Sequence, residues 1–438
     1  MPRGPGEPAQ GLRDGGVPGD RSLSTRAPSS TLTRFSALAL ADVASRGLAF
    51  LGTLLIVRAF ADEAFGQIGV ATTVVTYALQ ASTCGLDVFA VRHGARYPDR
   101  IGATASSVMA MRGALGLAAY TVLLVVCWAL PALRPILPLV ALFGLTVFTG
   151  ALSLTWVPQA LQQTRVLAAA NLSIGVLYFL GVLLITRTGG PLWSIPMAQV
   201  AAEALVAVGL FRWLRGRAER LTAPWPVAEW GRVLRESAPI GASWLLRTIA
   251  LGSDLVLLRL LLVGDAQIGW YNGAWRLFGL MMGLSAVYFT ILFPRLSQRA
   301  AESPAAFRAE ALGSLARVMP LALAGAVGVA VLAPWALGLL FSPSFAGAAM
   351  ALRILAAAAV VNVVNNHFRY MLLATNRQQV DLRNTTFATA AHVAFKVMLI
   401  PIAGIEGVAV GTLGGELVVL ALGLWATRGD LVRRVTPE

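Results

Sequence analysis

The sequence predicts an all-α polytopic membrane protein, with about 12 transmembrane helices in two parallel six-helix lobes around a central cavity. Of its 438 residues, 57% are hydrophobic and only 13% are charged, whereas about 25% of a soluble protein is charged. Apolar runs of membrane-spanning length recur along the chain, and arginines gather in alternate connections between them. These observations exclude a soluble α/β enzyme. They also explain the net charge of +14 better than a nucleic-acid surface does.

The predicted spans follow from length, because a helix needs about 20 mainly apolar residues to cross a bilayer. Spans are expected at 36–58, 67–90, 104–130, 136–156, 166–186, 192–212, 238–262, 271–293, 314–340, 348–373, 383–402 and 404–427. Residues 1–34 are rich in Pro, Gly, Ser and Arg and lack apolar periodicity, which predicts a disordered tail.

Orientation follows from the positive-inside rule. Connections after odd-numbered spans are short and poor in arginine, whereas those after even-numbered spans carry arginines, most densely at Arg212–Arg220. Both termini are therefore predicted to be cytoplasmic. The expected organisation is a cytoplasmic tail (1–34), an N-terminal lobe (35–214), a basic cytoplasmic linker (215–236), a C-terminal lobe (237–428) and a second cytoplasmic tail (429–438).

A weak internal repeat supports two lobes in the same orientation. Arg46 and Arg58 in the first span are spaced like Arg247 and Arg259 in the seventh. Gln67-Ile68-Gly69 opens the second span, and Gln267-Ile268-Gly269 lies at the start of the eighth. Six helices per repeat predict parallel lobes.

Polar residues form stripes at helical spacing inside several spans. Such residues are costly in a bilayer and usually face a protein interior or a water-filled cavity. The candidates for binding a substrate in the cavity are Arg46, Arg247, Arg276, Arg369, Lys396, Gln80, Asn365 and Asn366. The candidate carboxylates for ion coupling are Asp42, Asp254 and Glu416.

Some of these polar residues also have a purely structural interpretation. Asp42 and Arg46, four residues apart, suit a neutralising pair within one helix. The asparagines near 362–366 suit hydrogen bonds between helices, and Glu416 suits helix packing.

The predicted cavity contains more cationic groups than carboxylates, which favours an anionic substrate, since guanidinium groups bind phosphate with two hydrogen bonds. The chain has no phosphate-binding loop of the GxxxxGK[ST] type, so direct use of ATP is not expected. The three histidines are scattered in the sequence, so neither a metal site nor a cofactor is expected.

Residues 36–92 carry a family resemblance. An apolar helix ends in Arg58-Ala59-Phe60, a short acidic loop reaches Phe65-Gly66, and a polar helix ends in Gly85-Leu86-Asp87. This pattern resembles the polysaccharide-biosynthesis flippases of the multidrug/oligosaccharidyl-lipid/polysaccharide exporter superfamily, which have a MATE-like fold. More loosely, the resemblance extends over residues 36–427.

The resemblance implies that the protein moves an undecaprenyl-pyrophosphate-linked oligosaccharide from the inner to the outer leaflet of a bacterial plasma membrane by alternating access. Such transport would serve the assembly of O-antigen or exopolysaccharide, with a polysaccharide polymerase and glycosyltransferases as functional partners. It makes Arg46 and Arg247 the leading pyrophosphate ligands, followed by Arg276, Arg369 and Lys396.

Three alternatives remain at this point. A MATE-like drug or cation antiporter would be expected to have a cavity dominated by carboxylates. A lipid II flippase of the same superfamily usually has about two further helices. A polysaccharide polymerase or ligase usually carries its catalytic residues on a large external loop, whereas the external connections predicted here are short.

Overall fold

A computed structural model describes residues 29–217, 225–261 and 263–432, and all regular structure in these ranges is helical. The helices before residue 218 are α1 (Ser29–Ala59), α2 (Asp62–Thr83), α3 (Leu86–Arg96), α4 (Ile101–Ala129), α5 (Leu137–Gly144), α6 (Thr146–Leu152), α7 (Trp156–Ala160), α8 (Thr164–Thr188) and α9 (Ser194–Arg215). Those after residue 224 are α10 (Val227–Leu260), α11 (Asp265–Glu302), α12 (Pro304–Leu340), α13 (Ala349–Ala374) and α14 (Gln378–Val432). We call these two sets the N-half and the C-half.

The described part of the chain contains 10 helical segments that are long and apolar enough to cross a membrane, or 11 if the bent α10 counts as one span. The two parts of α10, Val227–Ile249 and Gly252–Leu260, meet at 58°. The last segment, Gln378–Arg428, is 51 residues long and contains a non-helical residue, Gly404. This break lies where the sequence predicts that one span ends and the next begins.

Two predicted spans are interrupted in the structure. The span predicted at 67–90 is split, because Cys84 and Gly85 adopt left-handed conformations (φ 44° and 73°) between α2 and α3. The span predicted at 136–156 is divided among α5, α6 and the start of α7. Most of the predicted tail (1–28) and part of the predicted linker (218–224) lie outside the described residues, and α1 begins at Ser29.

The surface has the polarity expected of a lipid-facing bundle. Leu284, Leu321 and Ile402 are exposed by 76%, 75% and 80%, although large apolar side chains on a soluble protein are mostly covered. The principal buried cluster contains apolar residues of both halves, including Phe65 and Val70 on α2 and Tyr271 on α11. The two halves therefore share one apolar core along α2.

The backbones of the N-half and C-half touch at two places, one near the start of α2 and one just after its end. Gly66 lies directly against the backbone of Asp265 and Gly269, so that α2 and α11 touch without intervening side chains. Beside this contact, the Trp270 indole donates to Asp62 (2.8 Å) and the Gln67 amide donates to Asp265 (2.9 Å).

The second close approach lies at the other end of α2, where Gly85 packs against the backbone of Ser237 and Gly241 on α10. A side chain at Gly85 would collide with that backbone, and its φ of 73° also favours glycine. The halves are thus in contact at both ends of α2.

Candidate substrate cavity

A polar cavity of about 420 Å³ lies within the C-half, between α10, α11, α13 and the two parts of α14. We call it the C-half cavity. Its polar lining includes Arg247, Asn362, Asn366, Arg369, His392, Lys396 and Glu416. Aromatic residues, among them Trp275 and Phe278, form much of the remaining wall.

Arg247 is the cation most available to a ligand in this cavity. It makes no hydrogen bond or salt bridge to another residue in the described part of the chain, whereas Arg369 pairs with Asp381 at 3.4 Å. A guanidinium that lines a cavity without a protein partner retains its donors for an anion.

Lys396 belongs to a buried network instead. Its ammonium group forms an ion pair with Asp254, and the Tyr271 hydroxyl donates to the other oxygen of that carboxylate at 2.5 Å. Lys396 and Asp254 are each only 1% exposed. Because a buried charge is tolerated when it is paired and hydrogen-bonded, this network fixes α10 to α11 and α14.

A second network surrounds Glu416. The Asn365 amide donates to Oε2 of Glu416 at 2.6 Å and to its backbone oxygen at 2.8 Å, and the Asn362 amide donates to Oε1 at 3.0 Å. The Asn366 amide donates in turn to the Asn362 side-chain oxygen at 2.7 Å. These bonds join α13 to the second part of α14 and place Asn362 and Asn366 along the cavity wall.

A smaller cavity of about 320 Å³ lies between the two halves, and we call it the interface cavity. Thr72 and Thr73 of α2 line it from the N-half, and Asp254 and Arg276 line it from the C-half. It adjoins the C-half cavity, since Trp275 and Gly279 line both. The Arg276 guanidinium lies over the Phe65 ring, 5.5 Å from its centroid, in an arrangement typical of cation–π contacts.

An apolar groove of about 920 Å³ opens beside the C-half cavity, between α10 and the first part of α14, and we call it the lateral groove. Its wall includes Trp244, Val397 and Met398, which are 56%, 43% and 67% exposed. Arg247 and Arg369 line the lateral groove as well as the C-half cavity. Charged groups thus lie where the polar C-half cavity meets the apolar lateral groove, which is open at the surface of the bundle.

The structure brings together most, but not all, of the residues predicted for the site. Arg247, Arg369, Lys396, Asn366 and Glu416 line the C-half cavity, Asn365 lines a small pocket that shares four of those residues, and Arg276 and Asp254 line the interface cavity. Asp42, Arg46 and Gln80 line none of these spaces. Arg46 is 79% exposed and pairs with Asp42 at 2.8 Å, as the structural alternative anticipates.

Tyr271 and Asp381 are absent from the predicted site. Tyr271 lies at the start of an apolar span, where an aromatic side chain is compatible with ordinary packing. Asp381 falls in a predicted connection between spans. Their roles depend on partners from other helices, Asp254 and Arg369.

The profile of a family described as "Polysaccharide biosynthesis protein" matches residues 32–299, which is more than half of the chain. The chain belongs to this family. The resemblance noted in residues 36–92 is thereby confirmed, and the family identifies a non-enzymatic membrane transporter of the flippase type.

Solved structures support the fold of this family member. The lipid II flippase MurJ in an inward closed conformation aligns with a TM-score of 0.71 at 13% identity, covering 90% of this chain and 89% of its own. An inward-facing MATE family multidrug transporter of the MOP superfamily aligns with a TM-score of 0.64 at 17% identity, covering 90% and 94%. A MOP superfamily transporter from Pyrococcus furiosus aligns with a TM-score of 0.59 at 15% identity, covering 91% and 95%. No curated protein sequence matches the chain significantly.

Proposed function

We propose that this family member moves a polyprenyl-diphosphate-linked oligosaccharide, of the undecaprenyl type, from the inner to the outer leaflet of a bacterial plasma membrane. Both termini are cytoplasmic in this proposal, and the six-helix lobes rock between inward- and outward-open states. A polymerase and glycosyltransferases use or supply the transported glycan.

One observation carries the proposal: Arg247 and Arg369 lie where the polar C-half cavity meets the apolar lateral groove. A lipid-linked glycan has a polar sugar, a diphosphate and a long apolar chain in that order. The cavity suits the sugar, and the exposed apolar groove suits the prenyl chain in the bilayer. Between them, Arg247 suits the diphosphate, with Arg369 and its partner Asp381 beside it.

The charged group left available in the C-half cavity favours this substrate over a cationic drug. Arg247, Arg369 and Lys396 line it together with one carboxylate, Glu416. The carboxylate is held by two asparagine amides and faces His392 at 4.0 Å. Lys396 is paired with Asp254 and Arg369 with Asp381. Among the described residues, Arg247 is therefore the charged group of the lining that is left to meet a ligand, and it attracts an anion.

The test uses the full chain reconstituted in vesicles, with a fluorescent polyprenyl-diphosphate oligosaccharide and a fluorescent cationic drug as alternative substrates. We expect the lipid-linked glycan to be flipped, with the initial rate reduced ~10-fold or more in Arg247→Ala, because a charge-assisted hydrogen bond contributes about 1.5–3 kcal/mol. Arg247→Lys should recover part of the rate, since it keeps the charge but loses the planar fork.

Arg353→Ala is the matched control, since it removes an arginine from the same half that lines none of the cavities described. It should transport like the unmodified protein. Flipping of the cationic drug without the lipid-linked glycan would refute the proposal. Equal losses in Arg247→Ala and Arg353→Ala would remove Arg247 from the site.

A further inference from the structure

A basic and aromatic groove lies away from the cavities described above, at the end of the bundle that is predicted to be cytoplasmic. It has a volume of about 710 Å³ and lies between residues 89–104 and residues 225–236. We call it the basal groove. None of its lining residues lines the C-half cavity, the interface cavity or the lateral groove.

Arginines dominate the charge of the basal groove. Arg92, Arg96 and Arg100 line it from α3 and the turn that follows, and Arg232 faces them from α10. Two carboxylates, Glu229 and Glu236, also line it, so positive charge is in excess.

Three of these arginines have guanidinium N–H groups available to an anion, and Arg96 also lies over the Tyr97 ring, 5.6 Å from its centroid. Within the described residues, Arg92, Arg96 and Arg100 form no salt bridge, and Arg232 makes only a long contact of 3.5 Å with Glu229. Guanidinium groups on two helices can bind one phosphate from both sides, because each has several N–H donors in a planar fork.

The floor of the groove is a preformed aromatic cluster. His93 stacks on Phe89 (centroids 5.5 Å apart) and meets Trp225 edge-on at 5.3 Å and Tyr97 at 4.9 Å. The Trp225 amide donates to the Ser107 hydroxyl at 2.8 Å, which ties the residues before α10 to α4. Tryptophan and tyrosine favour the headgroup level of a bilayer, where one end of the ring is apolar and the other is wet.

From this geometry we propose that the basal groove binds the phosphate headgroup of an anionic phospholipid. Basic pockets between helices on the cytoplasmic side of a membrane protein suit such headgroups. The aromatic floor packs against the glycerol and upper acyl region while the arginines hold the phosphate. Because residues of the N-half and of α10 share the headgroup, the bound lipid holds these two segments together. The inference is independent of which glycan-lipid the protein transports.

The test measures the association of spin-labelled phosphatidylglycerol with the full chain in phosphatidylcholine vesicles. We expect a motionally restricted lipid fraction in the unmodified protein, and a loss of association of ~10-fold or more in the triple variant R92Q/R96Q/R100Q, since each arginine near the surface contributes substantially to attracting an anionic lipid. The matched control R165Q/R212Q/R295Q removes three exposed arginines from connections on the same predicted face, outside the groove, and should retain most of the association.

A second variant, Trp225→Ala, leaves the charge unchanged and should still weaken binding, because it removes part of the floor. Equal losses in the triple variant and its control would reduce the effect to general surface charge and overturn the proposal. Displacement of the spin-labelled lipid by millimolar glycerol phosphate would assign the groove to a soluble phosphate compound, and would also overturn it.

Discussion

The N-half and C-half differ in how deeply their charged side chains are buried and in how those side chains are paired. In the C-half, Asp254, Lys396 and Glu416 are buried in two networks that border a cavity and together join α10, α11, α13 and α14. In the N-half, Arg46 and Asp42 form an exposed pair on one helix. The weak sequence repeat thus gives comparable spans but not comparable sites.

The deepest cation of the N-half, Arg112, supports this contrast. It forms an ion pair with Asp87 at 3.1 Å, but the Asp87 side chain is 47% exposed. The carboxylate can therefore be solvated without its partner, unlike Asp254, which is 1% exposed. The two charge pairs named in the N-half thus each keep a partner in contact with solvent, whereas the Lys396–Asp254 pair of the C-half is buried on both sides.

The largest stability effect is expected from Lys396→Ala. Removing the ammonium leaves the Asp254 carboxylate buried without its cation, and breaking a buried ion pair in this way costs about 3–5 kcal/mol. Thermal unfolding of the purified protein in detergent should show a clear decrease in midpoint.

The double variant Lys396→Met with Asp254→Asn tests whether unpaired charge causes that loss. It removes both charges at once, so it should be more stable than Lys396→Ala. If Lys396→Ala were as stable as the unmodified protein, Asp254 would not be buried as the structure places it.

An intermediate effect is expected from Asn365→Ala. The substitution deletes both hydrogen bonds that the amide donates to Glu416, and leaving a buried charged acceptor less satisfied costs about 1–3 kcal/mol. Gln80→Ala is the matched amide deletion in the N-half and should change the unfolding midpoint little. Equal destabilisation by the two substitutions would contradict the difference between the halves.

The smallest stability effect is expected from Arg46→Ala. An exposed ion pair four residues apart on one helix contributes at most ~1 kcal/mol. The unfolding midpoint should stay near that of the unmodified protein at low salt. A loss comparable with that of Lys396→Ala would show that α1 is covered by a partner or by the other half.

Much of the fold is predictable from the sequence because the bilayer imposes a length on each apolar span. The break near Gly404 follows from the short Pro401–Gly404 segment. The interruption at Cys84–Gly85 does not, because the residues on both sides are compatible with a continuous helix. It becomes understandable only when Gly85 is seen against the backbone of α10.

The sequence predicts which polar residues belong to the candidate site, but not which side chains pair with one another. Helical spacing identifies Arg247, Asn365 and Lys396 as members of polar stripes, and Glu416 stands out as a carboxylate within a span. Helical spacing cannot show that Lys396 meets Asp254, which is 142 positions away, or that Tyr271 completes the same network. The stripe containing Arg46 looks equally promising in the sequence, since spacing within one helix does not reveal which face is covered.

We propose that Arg247, where the C-half cavity meets the lateral groove, recognises the diphosphate, and the most direct test of this claim compares Arg247→Ala with Arg46→Ala. Initial rates of flipping of a polyprenyl-diphosphate oligosaccharide would be measured in vesicles containing equal amounts of folded protein. We expect Arg247→Ala to be slowed ~10-fold or more, as the loss of a charge-assisted hydrogen bond predicts, and Arg46→Ala to remain close to the unmodified rate. Strong loss in Arg46→Ala together with normal flipping by Arg247→Ala would contradict the account.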